Sequence, residues 1–73
     1  MLDFPCRLRD LRVKKSLTQK AVAEILGMSE LSYRRYELDM RKPSYEVVIK
    51  LANCYDVSLD YLFGLTDNPK RNL

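Results

Sequence analysis

Gly27 stands two residues ahead of Ser29, a helix cap, and that spacing constrains the chain more than any other feature. Before it, Val22, Ala23, Ile25 and Leu26 read as the buried side of a helix that Thr18 can cap. Glycine reaches the left-handed conformation beyond a helix end without steric cost, so Gly27 ends that helix. Only Met28 separates it from Ser29, which caps a further helix from Glu30 to about Leu38. Two short helices joined by three or four residues have no room to lie antiparallel, so they must cross steeply. Such a crossing needs a small residue where the backbones approach, and Ala23 is placed for it. Met28 supplies an apolar plug for the turn.

The remaining pattern is helical as well. Phe4, Leu8 and Leu11 recur at i, i+4, i+7 and make the apolar stripe of a first helix, with Asp3 as its expected N-cap and Pro5 in its first turn. Ser44 can cap a fourth helix carrying Val48, Leu51, Ala52 and Tyr55, with Glu46 favourably placed in its first turn. Ser58 can cap a short fifth helix through Phe63, which Gly64 closes. The stretch 39–43 ends in Pro43 and reads as a loop. Residues 66–73 contain Asp-Asn-Pro and two basic residues and are expected to fray. There is no strand alternation and no internal repeat. The prediction is an all-α, compact five-helix bundle, one domain over residues 1–65 followed by the tail 66–73. Seventy-three residues is about half the usual one-domain length, so stability should be modest and an interior substrate cavity has little room.

The chemical inventory narrows the function. With no His and two Cys, a mononuclear zinc site would need carboxylates at half its ligand positions. Imidazole-based nucleophilic catalysis is excluded, no acid, base and nucleophile fall together, and neither enzyme activity nor a metal or cofactor is expected. Cys6 and Cys54 read as free thiols. No apolar run approaches the roughly 20 residues of a membrane span, and Met1-Leu2-Asp3 does not resemble a signal peptide. A soluble, cytoplasmic protein with no membrane partner is expected.

Charge points to a partner. The net charge is +3, but residues 1–42 hold ten basic and six acidic side chains, whereas residues 43–73 hold three and four. That asymmetry is a mild footprint for a polyanion. On a wheel of about 100° per residue, Glu30, Leu31, Arg34, Arg35 and Leu38 share an arc of roughly 140° on the third helix. Tyr33 and Tyr36 lie opposite, as core anchors. The outward mixture suits reading of a DNA major groove: Arg forks to guanine, Glu accepts from cytosine, and Leu touches a thymine methyl. A plain solvated face is the alternative.

Several runs together carry a family resemblance: Leu17-Thr18-Gln19, Val22-Ala23, Leu26-Gly27-Met28-Ser29 and Arg35-Tyr36-Glu37. With Arg41-Lys42-Pro43-Ser44, Leu51-Ala52 and Val57-Ser58-Leu59-Asp60, the chain resembles the Xre/Cro, phage-repressor-like helix-turn-helix family from about Cys6 to Gly64. The resemblance implies a sequence-specific transcriptional regulator that binds double-stranded DNA as a homodimer. It implies base reading by Glu30, Leu31, Arg35 and Gln19, the last on either a base or the backbone. Thr18, Ser29, Ser32, Arg34, Arg41 and Lys42 match positions near phosphates, with Ser29 equally readable as a cap alone. Arg12 and Glu37 match an ion pair that fixes the recognition helix. The other use of such a fold is as an interaction module for a protein partner, as in an antitoxin-like role.

Three residues depart from the family pattern. Glu30 puts a negative charge near phosphates, which is unfavourable unless it meets a cytosine amino group, so it would act by rejecting wrong sites. Tyr33 stands where a smaller aliphatic is usual, which implies repacking or a hydroxyl reaching the surface. Tyr55 likewise replaces an aliphatic, and a buried hydroxyl needs a partner.

Overall fold

The computed structural model describes residues 3–71; Met1 and Leu2, with the expectation attached to them, and Asn72 and Leu73 of the tail lie outside the described residues. Five helices are the regular elements: α1 (Phe4–Lys14), α2 (Gln19–Leu26), α3 (Glu30–Glu37), α4 (Tyr45–Tyr55) and α5 (Leu59–Leu62). Among the described residues there is no strand. No helix there is long and apolar enough to cross a membrane.

Local chemistry sets most boundaries. Thr18, Ser29, Ser44 and Ser58 each sit in extended backbone at an N-cap, and each side-chain oxygen accepts from the N–H three residues on. Each such cap is worth about 1 kcal/mol. Asp3 occupies the N-cap position of α1 but makes no side-chain cap bond there. Its φ of −133° and ψ of 59° lie outside the extended geometry shared by the other four caps, so the expected cap is absent. Gly27 closes α2 at φ 73°, and its N–H and that of Met28 return to the last turn of α2. Ser16, Asp39 and Asp56 leave α1, α3 and α4 in the same left-handed region, at φ 56°, 57° and 54°. Asp can hold that conformation because its short polar side chain bonds locally.

The core is continuous. Leu8 and Leu11 of α1 meet Val22, Ala23 and Leu26 of α2, Tyr33 and Tyr36 of α3, Val48, Leu51, Ala52 and Tyr55 of α4, and Leu62 of α5. Phe4, Leu17, Met28 and Phe63 close its edges. Ile25 is not part of it: this side chain is 59% exposed, against the sequence expectation. Val22, Ala23 and Leu26 fall within about 100° on the helix wheel, and Ile25 lies about 60° beyond that arc. Tyr33 and Tyr55 are fully buried, and their hydroxyls pair with each other at 2.7 Å. The pairing satisfies both hydroxyls without reaching the surface, so the tyrosines cross-link α3 and α4 instead. Burial pushes the phenol of Tyr55 up to about 12 and that of Tyr33 further still. Tyr55→Phe is expected to lose about 1 kcal/mol, read as a lower denaturant midpoint with an unchanged slope.

The tail turns back onto the bundle. The N–H of Ser58 donates to the Pro69 carbonyl at 3.1 Å. Arg71 donates to Asn53 at 2.7 Å and pairs with Asp56 at 3.6 Å. Asp67 lies 3.6 Å from Arg7, whose guanidinium also rests 4.0 Å over the Tyr61 ring.

Candidate functional site

The outer face of α3 is built by what its inner face buries. Tyr33 and Tyr36 are in the core and the Glu37 side chain is only 3% exposed. That leaves Glu30, Leu31, Arg34 and Leu38 exposed, with Ser32 and Arg35 half-buried at the margins. Ser29 starts the helix: its hydroxyl accepts from the Ser32 N–H at 3.1 Å and donates to the Ser32 hydroxyl at 2.9 Å. Both serines therefore already have a partner in the protein.

One chain of polar contacts crosses from α1 to the start of α3. Arg12 donates from Nε to Glu37 Oε2 at 2.7 Å and from Nη2 to Oε1 at 3.2 Å, a forked pair. Its Nη1 donates to the Leu17 carbonyl at 3.0 Å, which fixes the turn between α1 and α2. Gln19 donates from Nε2 to Glu37 Oε1 at 3.1 Å and accepts from Arg34 Nε at 3.4 Å. Arg34 in turn lies 3.7 Å from Glu30. Burial alone would raise the pKa of Glu37; hydrogen bonds from Arg12, Tyr33 and Gln19 outweigh it and hold the carboxyl below its ordinary range. The hydrogen bond to Glu37 likewise strengthens the protonated form of Arg12.

The structure thus brings together Arg12, Glu37, Gln19, Arg34 and Glu30 from among the residues singled out in the sequence. Gln19 is not simply an outward-pointing side chain. Both ends of its amide are engaged by Glu37 and Arg34, which leaves one N–H for an external acceptor. Arg35 stands apart: its guanidinium has no hydrogen bond or ion pair among the described residues. Arg41 and Lys42 line a separate recess with Phe4, Tyr36 and Tyr45; Lys42 has only a 4.0 Å approach to Asp39. Thr18 spends its side-chain oxygen on capping α2. Arg9 was missed by the sequence reading. It is exposed and lines one cleft with Arg12, Thr18, Gln19 and Glu30. Its position three residues before Arg12, on one face of α1, was the available signal.

Comparison with known proteins gives the arrangement a context. The family model described as helix-turn-helix matches residues 8–62. The uncharacterized HTH-type transcriptional regulator YobD of Bacillus subtilis is 46% identical over 63 residues, covering 86% of this chain and 56% of that protein. The chain spans about half the length of the curated relatives it matches. The restriction-modification controller protein C.AhdI of Aeromonas hydrophila superposes with a TM-score of 0.76 at 33% identity, over 82% of this chain and 87% of that one. The P22 c2 repressor, solved in complex with a synthetic operator, gives a TM-score of 0.80 at 25% identity, over 86% of this chain and 96% of that one.

Proposed function

Because this chain belongs to the Xre/Cro-like helix-turn-helix family, we propose that it is a sequence-specific, double-stranded DNA-binding transcriptional regulator with no catalytic role. In this reading α3 enters the major groove. Arg35 and Leu31 reach base edges, one forking to a guanine and the other touching a thymine methyl. Arg34, Arg41 and Lys42 hold phosphates, joined by the Gln19 amide and the cap of α3 at Ser29 and Ser32. The Arg12–Glu37 pair has an orienting role, because it ties α3 to α1 and to the turn before α2. One copy reads only a few base pairs, so two copies on half-sites about one helical turn apart supply the affinity.

The observation that carries this reading is the state of Arg35. It is a cation without a protein partner among the described residues, beside a Leu31 that is 49% exposed, on a helix otherwise anchored by buried groups. Selection from a randomised duplex library at two salt concentrations tests it. The expected result is a two-fold symmetric motif whose retention weakens with salt. On the selected site Arg35→Ala should lose affinity by about 1–3 kcal/mol, with the helical circular dichroism spectrum kept. No enriched motif from a folded protein would instead favour the interaction-module reading.

A further inference from the structure

Glu30 and Arg34 face each other across one turn of α3, 3.7 Å apart, each close to half exposed. Arg34 is also steadied by Gln19. The two charges cancel in the free protein, although each by itself has an obvious use or cost beside DNA. A free Arg34 would bind phosphate. A free Glu30 would be repelled by the backbone and would be satisfied only by a donor on a base edge. Cytosine offers such a donor at N4 with no acceptor on its own major-groove edge, whereas adenine sets N7 beside its amino group.

We infer that Glu30 is a specificity-determining residue that reads a cytosine amino group, and that this contact releases Arg34 from the Glu30–Arg34 pair to a backbone phosphate. The inference rests on the DNA-binding reading above. On a site with the cytosine, Glu30 turns to N4 and Arg34 becomes one more cation engaged with the duplex. On a site without it, the pair stays closed: Glu30 remains neutralised by Arg34, and that phosphate contact is not made. One ion pair so links a base contact to a backbone contact and widens the gap between right and wrong sites.

The selected duplex and a second duplex with only the cytosine position changed provide the test. For the wild-type protein the change should cost about tenfold in affinity. The log–log salt slope should also be steeper on the cytosine site, by about 0.9 for each copy bound, because one further phosphate is neutralised. Glu30→Gln should reduce the discrimination at that position to within about threefold, make the two slopes equal, and leave preferences at other positions in place. Glu30→Ala should give the same pattern; both substitutions are at an exposed position, and circular dichroism verifies the fold. Unchanged cytosine preference in both variants, or equal slopes in the wild type, overturns the inference while leaving the DNA-binding reading intact. Failure of the wild-type protein to select any motif overturns both.

Discussion

Arg12→Ala is expected to lower the stability of the domain by about 3 kcal/mol, enough to shift the thermal midpoint by roughly 15–20 °C in a chain this short. The effect comes from what remains rather than from what is removed. Glu37 is 3% exposed, and without Arg12 its carboxylate stays buried with only the uncharged donors Tyr33 and Gln19 beside it. The figure is placed at the low end of the range for broken buried pairs because Arg12 itself keeps 16% of its side chain exposed. The pH dependence separates this cause from a simple loss of packing. In the wild type the folded pKa of Glu37 is depressed, so its contribution is complete above the unfolded carboxylate value of 4.5 and is lost as pH falls through the folded one. In the variant the largest hydrogen bond opposing burial is gone, so the folded pKa of Glu37 shifts upward from its wild-type position. Its penalty is then largest at neutral pH and shrinks as the group takes up a proton. Thermal melts from pH 7 down to pH 4 should show the two proteins converging; a constant gap would place the loss in the Arg12 side-chain packing instead.

The second large effect concerns salt. If Arg34, Arg41 and Lys42 each neutralise one phosphate, a dimer neutralises six, and affinity should fall with a log–log slope of about −5. Raising salt from 50 to 200 mM would then weaken binding by about a thousandfold. Exchanging Arg41 and Lys42 for alanine in every copy should flatten that slope by about 4, with little change in which bases are preferred. Titrations on the selected duplex at four salt concentrations decide the matter. A slope near zero would remove these side chains from the DNA backbone and favour a protein partner.

How far the sequence could be read followed the range of the interaction. The caps at Thr18, Ser29, Ser44 and Ser58 are contacts across three residues, and residue type with spacing suffices to find them. The left-handed residues were legible only where glycine marked them, at Gly27 and Gly64; Asp39 and Asp56 do the same without a compositional sign. Helical periodicity separated Tyr33 and Tyr36 from the outer face, yet misplaced Ile25, because Val22, Ala23, Ile25 and Leu26 together cover more arc than the neighbours of α2 bury. The hydroxyl pairing of Tyr33 with Tyr55 spans 22 residues, and the bond from Gln19 to Glu37 spans 18. Both depend on how helices cross, and periodicity in one helix carries no information on that.

Phe4 stacks on Phe63 with ring centroids 5.4 Å apart, which joins the first helix to the last. During synthesis α1 leaves the ribosome first, but the wall that covers its leading turn comes nearly sixty residues later. A growing chain therefore leaves that side of the leading turn uncovered until α5 has emerged. The helices that α3 packs against most, α1 and α2, both precede it in the chain, so that late cover falls on α1 rather than on α3.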